Sequence, residues 1–159
     1  MRLHVGTVAS KLEGPLPTDL GFTLAEVLIA VLIVGILMAI ALPTYLGARE
    51  RASDRAAQSD LRTALVGALT HYAEARTYST FGVAEGEAEI PNLEWVTGDP
   101  AAGQVSIAAA SGPDLVLVGR SRSGTYFCLA QLANSPATDR GKGAAFADVD
   151  SSAECTGGW

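Results

Sequence analysis

Gly21-Phe22-Thr23-Leu24-Ala25-Glu26-Val27-Leu28-Ile29-Ala30-Val31-Leu32-Ile33-Val34-Gly35-Ile36-Leu37-Met38-Ala39-Ile40-Ala41-Leu42 is the stretch that decides how this chain is organised. From Phe22 to Leu42 it is apolar except for one carboxylate, and a run of that length can cross the hydrocarbon core of a bilayer as a helix. Glu26 is out of place there. A carboxylate inside hydrocarbon costs at least ~2.5–3.5 kcal/mol on insertion scales, and such a charge signals a partner.

The pattern Gly21-Phe22-Thr23-Leu24-x-Glu26 followed by an apolar run resembles the type IV prepilin signal, shared by type IV pilins and the pseudopilins of type II secretion. The resemblance implies a leader over 1–21 and a prepilin peptidase that cuts between Gly21 and Phe22 and then N-methylates Phe22. An ordinary secretory signal is cut after its apolar stretch. Here the apolar stretch follows the cut and stays in the mature chain as an anchor. The cut gives Phe22 an α-ammonium four residues before Glu26. A buried ion pair that loses one partner typically costs about 3–5 kcal/mol, so an ammonium on Phe22 of a neighbouring subunit would set the axial register of a filament. The leader departs from the family's short basic form: Arg2 and Lys11 are balanced by Glu13 and Asp19, and it ends Pro17-Thr18-Asp19-Leu20-Gly21.

Once leader and anchor are set aside, the 159 residues leave one small soluble domain. The net charge is −6 with no basic stripe, so no direct nucleic-acid partner is expected. Two cysteines, Cys128 and Cys155, read as one disulfide in an exported domain. Closing such a loop stabilises by about 3–4 kcal/mol on the chain-entropy model. Arg49, Arg51 and Arg55 after the span would favour the cytoplasm by the positive-inside rule, but Glu50 and Asp54 are interleaved with them.

From Arg49 to Arg76 strong helix formers dominate. Leu61, Leu65, Leu69 and Tyr72 recur at helical spacing, with Ala64 and Ala68 beside them and Arg55, Asp60, Arg62 and Glu74 opposite. One helix is expected from Phe22 to Arg76: a transmembrane and assembly half over 22–48, then a half over 49–76 that belongs to the soluble head, 49–159. Pro43 lacks an N–H and crowds the carbonyl of Ala39, so a kink is expected there. Gly35 is a second weak point, and the resemblance implies that the segment between Gly35 and Pro43 loosens on assembly.

The stretch 77–103, rich in Gly, Glu and Pro, reads as a long surface connection. Short apolar runs at 104–110, 114–120 and 125–132, separated by turn residues, predict an antiparallel sheet. Leu115, Leu117, Tyr126 and Cys128 are expected on one face. The segment beyond Ala133 reads as a disulfide-bounded loop with an edge strand near 145–149. The expected fold is α+β and pilin-like: a long N-terminal helix spine, its first half transmembrane and kinked near Pro43, packed on a small antiparallel sheet.

Catalytic groups are sparse. His4 lies in the leader and His71 at the edge of the helix face, too few for a triad or a zinc site. The serines of Gly119-Arg-Ser-Arg-Ser-Gly124 are not at nucleophile-elbow spacing, and Gly141-Lys-Gly143 lacks the upstream glycine of a phosphate loop. No cofactor is expected. Asp148 and Asp150, with Asp139 and Glu154, are weak candidates for calcium; aromatics along the helix are read as core. Three functions stay open: a type IV pilus subunit, the major pseudopilin of a type II secretion system, and a membrane-anchored exported binding domain. The cysteine pair favours the first, since pilins usually close their distal segment with a disulfide and pseudopilins often rely on calcium. That reading implies a homopolymer with other pilin subunits, an inner-membrane assembly platform as partner, and a single-pass membrane precursor that ends in an extracellular filament.

Overall fold

The computed structural model describes residues 21–159; the leader expected over 1–21 lies, except for Gly21, outside the described residues. The chain divides into two compact units, Met1–Ala41 and Leu42–Trp159, and the division falls just before Pro43. Helix α1, Leu24–Ala75, runs through both and keeps Pro43 inside it. It ends where Arg76 takes a left-handed conformation (φ 57°) and its N–H bonds to the Tyr72 carbonyl at 2.8 Å, a C-terminal stop without glycine.

The start of α1 is uncovered: among the described residues every one from 21 to 46 is exposed. In the second unit one face of α1 is buried through Ala57, Leu61, Ala64, Gly67 and Ala68. Leu65 and Tyr72 are half-buried against the core, whereas Leu69, expected in the stripe, is 43% exposed. The stripe turns toward small residues because neighbours come close. A Cβ on Gly67 would meet the Ile90 side chain at 2.7 Å, and one on Gly119 would meet Leu61 at 3.2 Å.

The sheet holds five strands in the order β1-β2-β3-β4-β5: Glu94–Val96, Gln104–Ser111, Asp114–Arg120, Tyr126–Gln131 and Asp139–Gly143. The last four pair antiparallel, while β1 pairs parallel with β2, so the sheet is mixed where a purely antiparallel one was expected. Residues paired across two strands share a face, and the register sets Leu117 opposite Leu129 and Val118 opposite Cys128. Leu115 and Leu117 therefore join Phe127 and Leu129 under α1. Tyr126 and Cys128 face the other way with Val116 and Val118, which corrects the expectation of one shared face. That second face is covered by Phe146, Val149 and Cys155. With both faces buried, β3 and β4 read as continuous apolar runs and not as alternation.

The stretch 77–103 is not a plain loop. It contains α2, Val83–Glu89, as well as β1. Gly82 N–H donates to Glu85 Oε2 at 2.9 Å at the start of α2. Gly86, a poor helix residue, is there for Trp95: a Cβ would lie 2.6 Å from the indole. The Trp95 indole N–H bonds to the Ile90 carbonyl at 3.3 Å, and the ring meets Phe81 edge-on.

The edge strand is at 139–143; the 145–149 stretch holds a 3-10 turn, Phe146–Asp148, instead. Glycines make this edge. A Cβ on Gly141 would sit 2.8 Å from the Thr156 nitrogen and 2.9 Å from Cys128 Sγ, and one on Gly143 would sit 2.5 Å from the Asp148 Cβ. The tail crosses β5 here, with Gly141 bridged to Gly157 and the Gly158 N–H bonded to the Arg140 carbonyl at 2.9 Å. Trp159 fastens it: its indole N–H bonds to the Cys128 carbonyl at 3.0 Å, and Arg62 and Arg140 lie over the ring.

Gly141→Ala is expected to destabilise the solubilised full chain by about 1–3 kcal/mol, the usual range for overpacking, measured by thermal unfolding. Gly35→Ala is the control: its Cβ would meet nothing within 4 Å and should cost the fold nothing.

Candidate functional site

The apolar half of α1 begins with a reciprocal hydrogen-bonded cap. Thr23 precedes the helix and Glu26 is its third residue. The Thr23 N–H donates to Glu26 Oε2 at 2.9 Å, and the Thr23 hydroxyl donates to the same oxygen at 2.8 Å. In return the Glu26 N–H donates to Thr23 Oγ1 at 3.3 Å. This is a capping box, Thr-x-x-Glu, satisfying helix-end donors that lipid cannot. Sequence reading assigned Glu26 a charge partner and missed the box, although Thr23 and Glu26 stand at its spacing. Among the described residues Oε1 of Glu26 accepts no bond, so half of the carboxylate is left for another group. Phe22, next to the box, is 85% exposed.

Beyond the box, α1 is the one helix among the described residues long and apolar enough to cross a membrane. Residues 18–42 match the prokaryotic N-terminal methylation motif. Over these residues the chain carries a prepilin-type N-terminal signature. No curated protein and no solved structure matches it. The motif covers the box, the exposed Phe22 and the uncovered helix as far as Leu42, so signature and unpartnered surface largely coincide.

The other predicted residues fall into different roles. Gly35 and Pro43 lie inside α1 with no break in the helix. Cys128 and Cys155 are joined, with Cα atoms 5.7 Å apart and both side chains fully buried. The bond ties β4 to the tail that covers the second face of the sheet. Asp148 is occupied with backbone: its Oδ2 accepts the N–H groups of Ala144 and Ala145 at 3.0 and 2.9 Å. The Asp150 carboxyl is raised by desolvation first, then by the neighbouring Glu154. Among the described residues no three His, Cys, Asp or Glu side chains form a group able to hold a metal. His71 is structural, with Nε2 3.0 Å from the Thr80 hydroxyl and the ring against Phe81.

Sequence reading missed a concavity of about 370 Å³ in the head, between the start of its helix and the β3–β4 turn. Arg49, Arg120, Arg122 and Asp60 line it together with Ala52, Ala56 and the buried Ala57. Serines hold its walls together: the hydroxyls of Ser53 and Ser121 lie 2.9 Å apart, and the Arg122 N–H donates to Ser53 Oγ at 2.9 Å. The Ser123 hydroxyl adds a bond to Asp54 at 2.5 Å. The Arg120 guanidinium lies over the Tyr126 ring.

Burial raises the Asp60 carboxyl above its ordinary 3.8, and no arginine charge offsets it. A raised value in the folded head means the ionised form opposes folding. The contribution of Asp60 is thus favourable below pH 3.8 and is lost as pH rises through the folded value. Asp60→Asn should therefore raise the Tm of the solubilised full chain at pH 7, with the gap closing as pH falls below 3.8. Equal melting at pH 7 would mean that the three arginines compensate the charge.

Proposed function

We propose that this protein is a prepilin-type structural subunit of a type IV pilus, cut between Gly21 and Phe22, N-methylated on Phe22 and polymerised through the apolar half of α1. The observation that carries the reading is the uncovered helix half from 21 to 46, headed by Glu26 and matched by the methylation motif as far as Leu42. An apolar surface of that extent needs lipid around it before assembly and other helices after it. Its partners on this reading are the prepilin peptidase that also methylates, an inner-membrane assembly platform, and copies of itself. The chain serves as a building block and not as an enzyme, first as a single-pass membrane protein and then in an extracellular filament.

The Cys128–Cys155 bond supports the pilus over the pseudopilus, because it closes the distal segment covalently in the manner of pilins. Asp148, spent on backbone N–H groups, points the same way, since the loop already has an organiser where a calcium ion would otherwise serve. Gly35 fits the assembly role of the helix half: among the described residues no side chain crowds it, so its place is explained by loosening, or by close helix packing, in the polymer.

Filaments sheared from the cell surface are expected to contain a chain that starts at methylated Phe22, read by mass spectrometry of the intact subunit and its N-terminal peptide. A chain that keeps Met1, or one confined to the envelope while secretion of other proteins depends on it, would contradict the pilus reading.

A further inference from the structure

The head carries charges that it does not pair with one another. From Thr77 to Gly119 the sequence contains six carboxylates and no Lys or Arg. Three of these carboxylates serve the fold: Glu85 caps α2, Asp99 accepts the Tyr126 hydroxyl and Asp114 accepts the Ala133 N–H. Glu87 does not. It is exposed, and with Glu94 it lines an open hollow bounded by Pro91, Asn92 and Leu93. Glu94 gives only Oε1 to the Gln104 amide, at 2.7 Å.

The arginine concavity is the counterpart. Arg49 and Arg122 are exposed on its rim, and among the described residues neither guanidinium has a hydrogen bond or an ion pair. Both patches belong to the unit Leu42–Trp159, yet that unit forms no ion pair between them. Unpaired opposite charges held on one rigid body can be joined by a second copy of the same body.

We propose that the Glu87–Glu94 hollow of one head docks against the Arg49–Arg122 rim of the next copy of this chain. The proposal deepens the pilus reading and rests on it. Charge complementarity selects the occupant: a polymer presents each head with other copies at high local concentration, and this acidic chain carries both halves of the match. The two patches differ, so the contact is heterologous, and a heterologous contact repeated without closing yields an open helical filament. Charges at such a rim act on encounter and register more than on raw affinity, and salt screens them. Glu26 and Phe22 would fix the register of the helices, and this contact that of the heads.

The test uses the full chain in assembling cells, with sheared filaments and leader-cleaved membrane monomer measured side by side. Arg49→Glu with Arg122→Glu, and separately Glu87→Arg with Glu94→Arg, should each lower filament yield about tenfold with monomer unchanged, and the combined four-residue swap should restore assembly. Arg122→Cys with Glu87→Cys in otherwise wild-type filaments should give oxidant-dependent cross-linked dimers. Reversals that assemble normally, a swap as defective as its parents, or no cross-link in intact filaments would overturn the proposal while wild-type filaments leave the pilus reading standing. Loss with the arginine reversal alone would indicate another anionic occupant and would overturn it too. Absence of wild-type filaments would remove both.

Discussion

A helix half with nothing of its own to pack against constrains everything else in this molecule. From 21 to 46 no side chain is buried, although the run is among the most apolar in the chain. Such a surface is stable in lipid or against other helices and unstable in water. The carboxylate at its head is the exception that gives it direction. Glu26 is held by Thr23 through both the backbone and the hydroxyl, so the free subunit satisfies one oxygen and leaves the other available. Cap and charge are separate properties of one side chain.

The head solves a different problem, that of making a core from few residues. Its sheet is covered on one side by α1 and on the other by the segment that ends at Cys155. The second cover has little apolar content, with Phe146, Val149 and the cysteine itself as its main contacts. Covalent closure stands in for the missing burial there, by restricting the unfolded chain. The tail then shields the β5 edge, which as an open row of N–H and C=O groups would invite pairing with other chains. Glycines at 141 and 143 and the pinned Trp159 serve that closure.

What was legible in the sequence follows from which signals are local. The start and end of β3, the two neighbouring strands and the long helix were written in runs of apolar residues and turn punctuation, and the structure has them. The cysteine pair was legible because two cysteines leave one possible pairing, and the structure joins them. The failures share one cause: a residue whose reason lies in a distant neighbour. Gly86 hides α2 until Trp95 is placed over it, and Gly141 hides β5 until Thr156 and Cys128 are placed beside it. The face taken by Tyr126 and Cys128 depended on strand register, which one strand does not encode. At the N-terminus the motif points to Gly21, Phe22 and Glu26, while the Thr23 box shares the Glu26 carboxylate with that motif and is told apart only by its hydrogen bonds. The arginine concavity joins residues from 49 to 122 and had no local signature.

The most direct measurement replaces Glu26 by glutamine and follows the protein through the cell. Glutamine keeps an oxygen that can accept the Thr23 N–H and hydroxyl, so the cap survives, but it carries no charge to meet an ammonium. The account predicts normal membrane insertion, normal cleavage after Gly21 and a head with Cys128 and Cys155 still joined, together with a steep loss of sheared filaments. Filaments from the Glu26→Gln chain in wild-type amount would show that the cap alone suffices and that no charge pair sets the register, contradicting the central claim.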